Sequence, residues 1–89
     1  MKIERSNRFK RHFRKRIENN PDLVALFKSA VEKFLENPLT PSLETHPLKG
    51  NLKGYWAFTV AYDCRVVFFF EDNNQIAVFH DIGRHHEVY

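Results

Sequence analysis

The chain has 89 residues, enough for one domain and close to the size below which folding usually needs a metal or disulfides. Cys64 is the only cysteine, which excludes an internal disulfide and a four-thiolate zinc site, and the longest apolar run, Val66–Phe70, is far too short for a membrane span. The formal net charge of +3 hides an asymmetry: residues 1–20 carry eight Lys/Arg against two acids, whereas residues 21–89 carry six against nine. A basic segment of this kind meets nucleic acid or an acidic partner, or simply keeps a helix face solvated. Nine Phe, three Tyr and one Trp supply large buried areas for so short a chain. The first residues, Met1 to Arg8, form no apolar signal region, so a soluble cytoplasmic protein without a membrane partner is expected.

Met1–Arg5 has the length of an edge strand. Ser6 then reads as an N-cap, and Phe9, Phe13 and Ile17 recur at i, i+4 and i+8, one stripe of a helix running to about Asn19. Its other faces carry Arg8, Lys10, Arg11, Arg14 and Lys15. Cations in a first turn oppose the helix dipole, so helix stability does not explain them, which favours a binding role. Asn20-Pro21-Asp22 restarts the chain with a cap, a proline at the first helical position and an acid in the first turn. Leu23, Leu26, Phe27, Ala30, Val31, Phe34 and Leu35 form a broad apolar face, and Asn37-Pro38 ends the helix. So short a link predicts an antiparallel αα-hairpin.

Leu39–Gly54, rich in Pro and Gly, reads as irregular. Tyr55–Tyr62 then alternates, with Trp56, Phe58, Val60 and Tyr62 on one face and Tyr55, Ala57, Thr59 and Ala61 on the other. Cys64–Glu71 is apolar almost throughout, as in a central strand covered on both sides. Asp72-Asn-Asn74 is a turn, and Gln75–Ile82 the next strand. The expectation is a single α+β domain over residues 1–89: an N-terminal strand and an αα-hairpin packed on a small, mainly antiparallel sheet. Val67, Phe69 and Phe79, with Arg65, should project from the sheet face opposite the helices, as a substrate cleft or a docking surface.

Lys49-Gly-Asn-Leu-Lys-Gly54 is no Walker A loop, because no Ser/Thr follows the lysine after the required glycine spacing. It is a flexible loop with two solvated lysines, or two point charges for RNA phosphates. His12 lies on the first helix, packed or solvated. His80 alternates with Ile76, Val78 and Ile82 and reads as a satisfied core histidine. His85 and His86 follow Gly83 at a strand end, where side chains reach into a cleft, and histidine suits proton transfer near pH 7. The acid and histidine spacing matches no standard zinc pattern. Arg65 interrupts an apolar strand, so it either pairs with Asp63 or Asp81 or stabilises charge on a phosphate.

His46-Pro-Leu-Lys-Gly50 with Lys53-Gly-Tyr55, Tyr62-Asp-Cys-Arg-Val-Val-Phe68, Asp81-Ile-Gly-Arg-His85 and Glu87-Val-Tyr89 resemble, in that order, the RelE/ParE superfamily of bacterial toxins. The similarity is greatest to its YafQ-like branch of messenger-RNA interferases. That resemblance implies the RelE-like fold, cleavage of messenger RNA on the ribosome, and a hetero-oligomer with an antitoxin that holds the toxin inactive. It implies site roles for His46, Asp63, Arg65, His85 and Tyr89. At two positions the chain departs from the branch, which often has a histidine where this chain has Thr59 and a tryptophan where it has Cys64. Arg84 and His86 are the residues that could compensate. Tyr89 is the last residue of the sequence, where fraying is expected.

Cutting RNA with its own 2′-hydroxyl needs a base, charge for the phosphorane and an acid for the leaving 5′-oxygen, and no metal or cofactor. The assignment is His85 as acid, His46 or Asp63 as base, and Arg65, Lys49 and Lys53 on the phosphate. Tyr89 stacks on or orients a base, and Arg84 and His86 lie beside the RNA. Arg8, Arg11 and Lys15 on the first helix bind ribosomal RNA. Two alternatives share the fold: a ParE-like toxin that inhibits a topoisomerase by contact alone, and a degenerate toxin kept as an interaction module.

Overall fold

Ser6 closes the first strand, β1 (Lys2–Arg5), and opens the first helix, α1 (Asn7–Arg16), in the computed structural model, which describes residues 1–89. Its hydroxyl accepts the Phe9 amide at 3.0 Å and donates to the His80 carbonyl at 3.0 Å, so one side chain caps the helix and fastens it to the sheet. Phe9 and Ile17 are buried and Phe13 half-buried, as the i, i+4, i+8 spacing requires. The helix ends at Arg16, short of the expected Asn19. In α2 (Pro21–Glu36) the Asn20 side chain accepts the Leu23 amide at 3.2 Å, and Asn37 leaves the helical conformation at the far end. The two helices meet through Phe9, Phe13 and Phe27, whose rings lie 5.0 to 6.0 Å apart.

Four further strands follow: β2 (His46–Pro47), β3 (Trp56–Ala61), β4 (Cys64–Glu71) and β5 (Ile76–Gly83). The sheet order is β1-β5-β4-β3-β2, with β1 parallel to β5 and every other pair antiparallel. The expected edge strand and meander are therefore present, with β4 flanked on both sides. The segment expected to be irregular contains β2, only two residues long, and 3₁₀ turns at Pro41–Leu43 and Gly50–Leu52. Pro47 cannot donate to a ladder, which confines β2 to the sheet edge. The turn before β5 holds Asp72, Asn73 and Asn74 at positive φ (52°, 52° and 67°), a region that Asx residues tolerate.

Both helices cover one face, where Phe34, Phe58, Phe68 and Phe79 are fully buried together with Phe9. Two bulges alter the alternation expected from sequence. In β3, Thr59 pairs with Arg65 but Ala61 with Cys64, so Val60 is the extra residue. Ala61 then turns toward the core and Tyr62 projects into solvent, 98% exposed, rather than joining Trp56 and Phe58. In β5, Phe79 pairs with Phe68 but Asp81 with Val67, so His80 is extra. Phe79 faces the helices, with its ring 5.5 Å from Phe9 and 5.6 Å from Phe34, not the open face as expected. His80 lies half-buried against Tyr55, ring centroids 5.0 Å apart, and is not the satisfied core histidine that its spacing suggests. Burial holds its imidazole below the ordinary range, aided by the nearby Arg8 charge. Beyond the bulge, Ile82 has crossed into the helix-side core.

Phe34 is fully enclosed by the rings of Phe58 (5.0 Å), Phe68 (5.0 Å) and Phe79 (5.6 Å). Phe34→Ala should cost about 3–5 kcal/mol, a large share of the roughly 5–15 kcal/mol available to such a domain. Urea unfolding followed by circular dichroism measures this. A loss below about 1 kcal/mol would mean that the aromatic cluster is not the core.

Candidate active site

Cross-strand pairing builds one end of the open face. His46 on β2 stands opposite Ala57, Ala57 opposite Val67, and Thr59 opposite Arg65. Ala57 and Val67 are buried yet lie outside the helix-side cluster, so this row belongs to the face away from α1 and α2. A last short helix, α3 (His85–Val88), packs against β4 and β5 and buries Val88. It brings Tyr89 into a shallow depression of about 320 Å³ shared with His46, Leu48, Lys49, Asn51 and Leu52. Tyr89 is not frayed: its amide bonds the His85 carbonyl at 3.0 Å, and its ring meets the His85 ring edge-on at 4.5 Å.

The protons in this cluster are constrained. His46 Nδ1 lies 2.8 Å from the Glu44 carbonyl oxygen, which can only accept, so Nδ1 carries hydrogen and Nε2 of the neutral ring keeps its lone pair. Burial pushes the Tyr89 phenol up, partly offset by the Arg65 charge, so it stays a neutral donor across the physiological range. Arg65 Nη1 donates to the carbonyls of Ala61 (3.0 Å), Tyr62 (3.1 Å) and Cys64 (3.3 Å). It pairs with neither Asp63 nor Asp81, the structural alternative read from sequence, and the rest of its guanidinium has no protein partner. Asp63, in the β3–β4 turn, accepts the His85 amide at 3.4 Å and lies 4.0 Å from Arg84 Nε.

His46, Lys49, Tyr89 and His85 thus come together, with Asp63 and Arg65 beside them. Lys53, Arg84 and His86 are exposed; Gly50 and Gly54, at φ of 65° and 96°, provide the reversals of the loop carrying the lysines. Arg11 and Lys15 are exposed on α1, across the sheet from this cluster. Thr59 donates to Glu44 Oε1 at 3.3 Å. Cys64 is buried in the helix-side core, where burial raises its thiol to about 11, so it packs and does not act as a nucleophile. A larger groove of about 510 Å³, lined by Met1, Pro38, Leu39, Trp56 and Phe70 among others, offers no ionisable side chain for chemistry.

The family model described as "Bacterial toxin of type II toxin-antitoxin system, YafQ" matches residues 1–89. The chain belongs to this family. The structure is similar to that of YafQ from E. coli strain BL21(DE3), with a TM-score of 0.80, 22% identity, and coverage of 98% of this chain and 96% of that one. It is similar to the YoeB/ParE toxin from Agrobacterium tumefaciens, with a TM-score of 0.80, 18% identity and coverage of 96% and 99%. Similarity to a chain of the E. coli DinJ–YafQ complex has a TM-score of 0.74, 23% identity and coverage of 98% and 96%. No curated protein matches the sequence. At these identities the solved structures establish the RelE-like α+β fold. No helix is long and apolar enough to cross a membrane.

Sequence reading misses what holds this toxin's α1 to the sheet. Asp81, 2% exposed, accepts from His12 Nδ1 (2.6 Å), the Ile82 amide (2.9 Å), Arg8 Nε (3.2 Å) and Arg16 Nη1 (3.4 Å). Arg8 is therefore engaged at the sheet, not simply displayed for RNA. Arg8, His12 and Arg16 are spaced i, i+4, i+8, parallel to the aromatic stripe, and that second stripe is the available signal. Burial alone would raise the Asp81 carboxyl, but the His12 hydrogen bond, the Ile82 amide and Arg8 outweigh it and hold the group below the usual range. A depressed folded value means stability present above about pH 4 and lost as pH falls through that value. Asp81→Asn should flatten this acid limb and cost about 3 kcal/mol, the low end for a broken buried pair because Arg8 is half exposed. Urea midpoints measured from pH 3 to pH 7 check both; an unchanged acid limb would remove Asp81 from this role.

Proposed function

We propose that this toxin is a ribosome-dependent endoribonuclease that cuts messenger RNA through the RNA's own 2′-hydroxyl. The observation that carries the reading is the gathering of His46, Lys49 and Tyr89 in one depression, with His85 against Tyr89 and Arg65 alongside. The 2′-oxygen attacks phosphorus as its proton passes to His46 Nε2, the nitrogen left free by the Glu44 contact. Arg65, Lys49 and Lys53 offset charge on the phosphorane, and His85 protonates the departing 5′-oxygen. The bond from phosphorus to the 5′-oxygen breaks, leaving a 2′,3′-cyclic phosphate and a 5′-hydroxyl. Every proton transfer has a side chain, so no step is assigned to a metal or cofactor.

Asp63 is the other candidate base. Its contacts to the His85 amide and to Arg84 suit it better to holding the acid in place. Tyr89, neutral and partly exposed, stacks on a base or donates to the phosphate. Arg84 and His86 flank the strand entering the site, and exposed Arg11 and Lys15, with the solvent-facing part of Arg8, meet ribosomal RNA. A cognate antitoxin holds the toxin inactive in a hetero-oligomer in the cytoplasm; the DinJ–YafQ assembly supports this by likeness.

His85→Ala should lower single-turnover cleavage of ribosome-bound messenger RNA by about 10²–10⁴-fold with an unchanged circular-dichroism spectrum. The wild-type fragments should end in 2′,3′-cyclic phosphate. A mutant that cuts at the wild-type rate would remove His85 as the acid, and a wild type that never cuts would favour a contact-only inhibitor.

A further inference from the structure

The helix bearing His85 is only four residues long and buries a single side chain, Val88, against β4 and β5. Its geometry rests on Glu87. One carboxylate oxygen accepts the Arg84 amide at 2.7 Å, closing the helix start, and the other lies 3.4 Å from Arg16 Nε at the end of α1. Arg16 in turn donates through Nη1 to the Ile82 carbonyl at 2.9 Å and to Asp81 at 3.4 Å. Both side chains are largely shielded, at 19% and 29% exposure, so solvent weakens this pair less than a surface one. A Cβ on Gly83 would come within 2.8 Å of Arg16 Nη1 and 2.9 Å of Glu87 Oε1, so the crossing of the two side chains fills the space that this glycine leaves. Arg16 thus joins three segments: α1, the end of β5, and the tail that carries the acid and the aromatic.

We propose that Arg16 and Glu87 are positioning residues for RNA cleavage, holding α3 so that His85 and Tyr89 face the His46–Leu52 loop. The inference rests on the nuclease reading for its catalytic consequence, but its geometric content stands alone. Neither residue touches the depression that would hold RNA, and neither carries a proton in the scheme. Their effect passes through the backbone of residues 84–88. Removing the carboxylate frees the helix start and breaks the tie to α1, while Phe9, Phe13 and Ile17 continue to pack α1 on the sheet.

The test compares wild type, Glu87→Ala, Glu87→Gln and Gly83→Ala in two measurements. The first is single-turnover cleavage of messenger RNA on programmed ribosomes, as rate against ribosome concentration. The second is the proton NMR shift of the His85 ring, which the edge-on Tyr89 ring at 4.5 Å should displace from its position in a Tyr89→Leu reference. Glu87→Ala should cut the maximal rate about 10- to 100-fold, with the half-saturating ribosome concentration changed less than about threefold, and should move the His85 shift to the reference position. Glu87→Gln, which keeps an oxygen for the Arg84 amide but loses the charge facing Arg16, should fall between. Gly83→Ala keeps both charges and should resemble Glu87→Ala by forcing the pair apart. A Glu87→Ala protein with the wild-type His85 shift overturns the inference, whatever its activity. So does one with a displaced shift that cuts as fast as wild type. If wild type itself does not cut, the nuclease reading fails, and the shift alone decides whether Glu87 holds the tail.

Discussion

A carboxylate buried under a basic helix is a poor arrangement unless donors surround it, and Asp81 has them. Four donors converge on it, three from α1 and one from its own strand. Two separate demands are met at once. The helix richest in positive charge gains an anion that offsets self-repulsion along one side, and the end of β5 is fixed to α1 before the chain turns into its last segment. The bulge at His80 lets Ile82, three positions after Phe79, enter the same helix-side core. A strand with strict alternation could not present both Phe79 and Ile82 to that core.

The sheet then divides its work by face. The helix side is an aromatic interior in which Phe34, Phe58, Phe68 and Phe79 contact one another. The other side is left open and carries polar chemistry at the end where β2, the Lys/Gly loop and α3 meet. Strands β2 and β4 supply His46 and Arg65, and a short tail supplies His85 and Tyr89. Placing the proposed acid on a four-residue helix calls for ties from elsewhere, and the Asp63 contact and the Arg16–Glu87 pair are those ties.

Much of this architecture is legible in the sequence. Caps at Ser6 and Asn20, the stop at Asn37-Pro38, the apolar run of β4 and the Asx turn at 72–74 act locally, and each lies in the structure near where its residue type places it. The bulges are not legible, because the residues beside them alternate plausibly in either register; simple alternation misplaces Tyr62, Phe79 and His80 for that reason. The length of β2 and its proline hide it. Of the candidate site, the histidines, lysines and Tyr89 can be named from motif resemblance, and the depression joins several of them. The partners of Arg65, which are carbonyls of the β3–β4 turn, and the Arg8–His12–Arg16 contacts to Asp81, which depend on how α1 lies across β5, cannot be assigned from sequence. A charged residue on an amphipathic helix looks the same in sequence whether it faces solvent or a buried acid.

In the mechanism proposed for this toxin, the open-face cluster acts on RNA and the ribosome presents that RNA. The most direct test is to incubate the wild-type toxin with a defined messenger RNA, programmed on purified ribosomes and free in solution, and to map breaks by primer extension. Discrete cuts within the ribosome-bound reading frame, absent from the free RNA, are the predicted result. A folded toxin that leaves both samples intact, or cuts both equally, would contradict the mechanism.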